Sequence, residues 1–212
     1  MRVLAIDAAL SGCSVAMVEG DRVLDHRRFA GERGATAVLP GLVAALLADA
    51  PGFDAVAVGV GPGSFTGLRA ALALAHGLAI GAGVPVTGVT TGEALRHGEP
   101  SDPRVVWVVV DTKRGRVTLD RSGQHSIERI DAFPVPPIPI LLIGDAAAAV
   151  ATVLSKAGAD VVARQVDAVD AAQVGLVGAR RIAGLLPPLP AQPFYAEPPE
   201  ARLPAPPRPA PV

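Results

Sequence analysis

The strongest constraint on the fold is a plan that the chain states twice. VLAIDAALSGCSVAMV (residues 3–18) and VVWVVVDTKRGRVTLD (residues 105–120) each read as an apolar strand ending in an aspartate, a glycine-bearing turn and a returning strand. The match lies in pattern more than in identity. It predicts two copies of one unit.

The order of elements around each copy supports this. In the first, Val3–Ile6, Ser14–Val18 and Val23–Phe29 are joined by short glycine- or aspartate-bearing turns and predict antiparallel hairpins. Val38, Leu42, Val43, Leu46 and Leu47 then recur at helical spacing, predicting a helix over Ala37–Leu47. A buried strand at Ala55–Val60, a helix over Ser64–Ile80 and a short strand at Val84–Val86 follow. After the polar break Gly98–Pro103, the second copy runs Val105–Val110, Arg116–Leu119 and a third strand near Ser126–Ile130. Where its helix belongs, the chain reads DAFPVPPIP, and closely spaced prolines exclude a regular helix. The second unit is therefore expected to be reduced, recovering with a strand at Ile140–Ile143 and helices over Ala146–Lys156 and Ala171–Leu185. From Pro187 onward proline dominates and apolar periodicity is lost, which predicts an extended tail whose start is pinned by Phe194 and Tyr195. The division is 1–97, 98–186 and 187–212.

Half of the 212 residues are hydrophobic and 18% are charged, enough for a sizeable core. A net charge of -1, with lysine only at positions 113 and 156, argues against a chain that holds RNA by itself. The single Cys13 excludes an internal disulfide and fits a small buried hydrophobe. An aspartate inside the N-terminal apolar run argues against a signal peptide, and no stretch of about 20 residues is free of charge and glycine breaks. A cytoplasmic protein with no membrane span is expected.

The loop GVGPGSFTGLR, residues 59–69, has the glycine content of a phosphate loop without its chemistry. No Gly-Lys pair occurs in the chain, and Gly61, Gly63 and Gly67 have the wrong spacing for a dinucleotide fingerprint. What remains is a turn in which Gly61 and Gly63 permit close approach or positive φ, with Ser64 or Thr66 capping the helix. First-turn amides can receive an anion, and Arg69 is expected to reach outward to a carboxylate or phosphate. The small residues of the helix, Gly67 to Gly81, suit a buried packing helix as well as a subunit interface.

The histidines, His26, His76, His97 and His125, show no pair at helical spacing, so no metal site is expected and a zinc protease is argued against. Asp7 and Asp111 stand at equivalent strand ends, where a kinase-like fold would position magnesium and a nucleophile. The turns after them lack Asp-x-Gly, and an aspartate there also hydrogen-bonds its own turn. Ser11, Cys13 and Ser14 have no adjacent histidine to activate them.

GPGSFTGLR, LAIDAALSGCSVAMV and the doubled hairpin plan, continued by DTKRG and IGDAA, together resemble the TsaB family, also called YeaZ or glycoprotease-like proteins. The resemblance implies an α/β, two-lobed actin/hexokinase/Hsp70-like ATPase fold (ASKHA, ribonuclease H-like) with the second lobe reduced. It implies a non-catalytic partner of TsaD, acting with TsaE in threonylcarbamoyl modification of adenosine in tRNA. It further implies a homodimer in isolation, tRNA contact only through the complex, no cofactor required by this chain and weak ATP or ADP at the partner interface. Gly61, Pro62, Gly63, Ser64, Phe65, Thr66, Gly67 and Arg69 are the expected interface loop; Asp7, Asp111 and Gly144 are the expected nucleotide-proximal positions. The alternative is an autonomous ATPase or kinase-like enzyme of the same fold.

Overall fold

The computed structural model describes residues 1–31, 34–49, 52–112 and 115–195. Strands β1 (Arg2–Asp7), β2 (Cys13–Glu19) and β3 (Arg22–Phe29) form the expected meander, followed by helix α1 (Ala35–Asp49), β4 (Ala55–Gly61), α2 (Phe65–Ala82), β5 (Val86–Thr90) and α3 (Thr91–His97). The second copy gives β6 (Val105–Asp111), β7 (Arg116–Arg121), β8 (Gln124–Arg129), β9 (Ile140–Gly144), α4 (Ala147–Lys156), β10 (Val161–Gln165) and α5 (Ala171–Ile182).

The two sheets have one topology. The first is ordered β3-β2-β1-β4-β5 and the second, read in the same sense, β8-β7-β6-β9-β10. In each, the first three strands are antiparallel and the last two add parallel to the central strand. The reduction of the second lobe lies outside its sheet: in place of a counterpart to α1 stands a single 3-10 turn, Ile130–Ala132, before the prolines.

Three apolar layers hold the molecule together. α1 and α2 cover the outer face of the first sheet through Leu39, Val43, Leu46, Ala71, Leu72 and Ala75. α4 covers the outer face of the second with Val150 and Leu154, beside Trp107 and Phe133. The inner layer brings Ala5, Val18 and Ala57 of the first sheet together with Val108, Val110 and Ile143 of the second, through α5 and α3. α5 follows both sheets in sequence yet packs on β1, β2 and β4 of the first. It can do so because Gly175 and Gly178 leave room: a Cβ would stand 2.8 Å from Val18 Cγ1 at the one and 2.3 Å from Ala57 Cβ at the other. α3, at the end of the first copy, in turn touches β6 and β9.

Polar ties cross the same joint. Ser14 Oγ donates to the carbonyl of Val169 and accepts from the amide of Ala171, fixing β2 to the start of α5. The buried Arg181 of α5 donates to the carbonyls of Gly88 and Pro187 and pairs with Glu93. Arg96 of α3 pairs with the buried Asp120 of β7 at 2.7 Å.

α2 is 18 residues long with a mean hydropathy of 1.3, long and apolar enough to cross a membrane. Here one face of it is packed on β4 and β1.

Candidate functional site

The glycine loop is shaped by its own chain. Gly61 takes a left-handed φ of 101° before a cis bond to Pro62. A Cβ on Gly63 would stand 2.1 Å from the carbonyl oxygen of Ala9, and one on Gly67 2.0 Å from that of Ala8. The amide of Ser64 donates to Ala9 O at 2.6 Å, and Ser64 Oγ, the cap, accepts from the amide of Gly67 at 3.3 Å. The β1–β2 loop therefore occupies the place where a phosphate loop would receive its ligand, and the glycines serve that approach.

Arg69 differs from expectation. Its guanidinium carbon lies 3.5 Å from the centroid of the Phe65 ring and its Nε donates to the Tyr195 hydroxyl at 3.1 Å. The outward cation is thus held in a stack by its own chain, a cation–π geometry that sequence spacing could not disclose. The start of the tail is pinned as expected. Phe194 N donates to Val60 O, His76 Nε2 meets Ala191 O at 2.7 Å, and the amide of Gly88, on the edge strand β5, donates to Leu189 O. Residues 187–195 form a strap over that edge; Ala196–Val212 lie outside the described residues.

Beyond the loop, α1 and α2 turn a face of small residues outward, side by side. On α1 it holds Ala37, Gly41, Ala44 and Ala48; on α2 it holds Ala73, Gly77, Ile80 and Gly81, all exposed, with Ile80 81% exposed. A Cβ added at Gly41, Gly77 or Gly81 would meet nothing within 4 Å. Glycine inside a helix costs about 1 kcal/mol relative to alanine. In α5 the sheet fills that space; on α1 and α2 nothing among the described residues does.

The predicted nucleotide-proximal residues separate. Asp111 lines a cleft of about 820 Å³ between the lobes, with Ser11, Gly63, Phe65, Asp145 and Asp167. Its amide donates to Asp145 Oδ1 at 2.8 Å. Asp111, Asp145 and Asp167 are the charged side chains among the described residues of that wall. Asp7 stays inside, 2% exposed, with Oδ1 accepting from the amide of Ala9 at 2.8 Å. A Cβ on Gly59 would stand 1.8 Å from its Oδ2. Burial pushes its carboxyl up to about 7, against the Ala9 hydrogen bond and with help from Asp170. Gly144 takes φ 129° because Val109 O fills the space of a side chain. Among the described residues no three His, Cys, Asp or Glu side chains converge as a metal site. Lys113 and Arg114, of the DTKRG turn, lie outside those residues.

Comparison with known proteins gives the geometry its context. The family model of TsaD, tRNA N6-adenosine threonylcarbamoyltransferase, matches residues 35–155. The tRNA threonylcarbamoyladenosine biosynthesis protein TsaB of Escherichia coli is 34% identical over 148 residues, 65% of this chain and 64% of that protein. An uncharacterised Mycobacterium tuberculosis protein is 38% identical over 122 residues, 54% of this chain and 56% of its own. The chain thus spans somewhat under two thirds of the curated relatives it matches. Among solved structures, YeaZ from Pseudomonas aeruginosa superimposes with a TM-score of 0.72 at 23% identity, over 92% of this chain and 99% of that one, which shows a common fold. With the duplicated sheets, the glycine loop closed by its own hairpin and a match over more than half its length, this chain belongs to the TsaB/YeaZ family.

Proposed function

We propose that this chain is an accessory subunit of tRNA threonylcarbamoyladenosine synthesis that docks TsaD through the outer face of α1 and α2 and carries no catalytic centre of its own. The observation that carries the reading is that face: three helix-interior glycines whose Cβ space is empty, on helices of a TsaB/YeaZ family member. Small residues let another helix approach closely, and burial of the apolar surface around them supplies the driving force. A homologous lobe on TsaD would pair with it in pseudo-twofold fashion, and a second copy of this chain would do so in the absence of TsaD. TsaE joins that pair, tRNA is met only through it, and a weakly held ATP or ADP sits at the joint.

The test is reconstitution with ATP, threonine, bicarbonate and tRNA. This chain alone yields no modified adenosine; adding TsaD, TsaE and the threonylcarbamoyl-adenylate synthase restores it, and omitting this chain abolishes it. Full product without the chain refutes the function. Gly77→Trp fills the outer face and abolishes co-elution with TsaD while thermal stability is kept. Co-elution that survives it moves the docking surface elsewhere.

A further inference from the structure

β5 and β10 hold the same place in the two sheets, each a parallel strand at the edge. Their edges differ. That of β5 lies under the strap, where Leu189 O accepts from Gly88 N at 2.9 Å and from Thr87 Oγ1 at 3.3 Å. β10 has no such cover among the described residues, and Val162 to Gln165 are exposed. Asp160 O accepts from Ile140 N and Val166 N donates to Gly144 O, so the even-numbered residues of this strand bond β9. Val161, Ala163 and Gln165 therefore turn their N–H and C=O groups outward, an open edge of the kind that takes another strand.

The chain carries the sequence of the strap a second time. Leu189–Pro193 reads LPAQP and Leu203–Pro207 reads LPAPP. In ARLPAP, residues 201–206, proline falls only on even positions, so Ala201, Leu203 and Ala205 keep their N–H groups on one side of an extended chain. These donors have the spacing of the outward residues of β10. The described chain also leaves Tyr195 close to the end of β10. Tyr195 packs on Phe65, ring centroids 5.9 Å apart, and Phe65 lines the interlobe cleft together with Asp167, which accepts from Gln165 Nε2 at 2.7 Å. From Tyr195 to Ala201 an extended chain spans up to about 20 Å.

We propose that residues 201–205 dock on β10 of the same chain as an additional antiparallel strand, pairing Ala201 with Gln165, Leu203 with Ala163 and Ala205 with Val161. Leu203 then falls on the α4 side of the sheet, beside Val161, which packs on the layer of Val150 and Leu154. Arg202 stands across from Arg164, whose charge is matched by Glu99. The second sheet thereby gains the edge cover that the strap gives the first. The inference is independent of the α1 and α2 docking face and of the tRNA reading.

Amide exchange is followed by NMR on the full chain and on two proline variants. Leu203→Pro removes a donor that faces β10, whereas Arg202→Pro puts the same ring one residue earlier, where the N–H points away. In the parent, the amides of Val161, Ala163 and Gln165 are expected to exchange slowly. Leu203→Pro should speed them about tenfold or more and leave those of Val162 and Arg164, bonded to β9, unchanged; Arg202→Pro should alter none of them. Open-edge exchange of the outward amides in the parent, or equal effects of the two prolines, overturns the proposal. So does protection that fades on dilution, which would bring the strand from a second copy.

Discussion

Asp7 and Asp111 hold the same station in the two copies and have opposite surroundings. The repeat made their equivalence legible; the cover over Asp7 was not, since it comes from Gly59 of a neighbouring strand and from α5 at a distance in sequence. The consequence is measurable. Folding holds the Asp7 proton up to about pH 7, while in the unfolded chain it leaves near the usual 3.8. Between these values the folded state binds the extra proton, so stability falls as pH rises through the window and levels above 7. At about 1.4 kcal/mol per pH unit, this contribution is on the order of 4 kcal/mol. Asp7→Asn, which keeps an acceptor for the Ala9 amide, should flatten that slope and be the more stable protein at pH 8 in urea titrations. An unchanged slope would mean that Asp7 is ionised in the fold. Gly59→Ala puts a methyl into the Asp7 carboxyl and should cost about 2–3 kcal/mol, an overpacking penalty, read from the same titrations.

Most elements were legible because periodicity and turn residues are local signals. The meander, α1, β4 and α2 fall close to where spacing put them, and DAFPVPPIP marks the missing helix. α3 was passed over although Thr90 and Glu93 spell a capping box, which the structure makes in full. Thr90→Ala should therefore cost about 1 kcal/mol in thermal unfolding. β10 gave less to read, because Val161–Gln165 is mostly exposed and shows no alternation. On α1 and α2 the glycines separate stability from assembly. Gly41→Ala and Gly81→Ala meet nothing within 4 Å and remove backbone freedom, so each should raise the stability of the isolated chain by about 0.5–1 kcal/mol. In the proposed complex the same methyls stand between helices and should weaken TsaD binding in calorimetry. Stabilisation with undiminished binding would place the partner elsewhere.

At the scale of the molecule, the duplication was visible in sequence and the crossing of α5 to the first sheet was not. A helix carries no local mark of the sheet it will cover; Gly175 and Gly178 of α5 take their meaning only from Val18 and Ala57 across the joint. The strap belongs to the same level. Ending the chain at Leu186 would strip acceptors from Gly88 N and Arg181 Nε, a donor from Val60 O and the cover from the β5 edge. A loss of about 2–4 kcal/mol is expected, seen as an earlier urea midpoint. The crossing of α5 also sets the order in which the molecule can be made. During synthesis the first sheet leaves the ribosome with α1 and α2 on one side only, while Ala5, Val18 and Ala57 wait for a helix that ends at Ile182. Until α5 emerges, the inner face of that sheet stays bare and apolar, a surface prone to aggregation in a nascent chain.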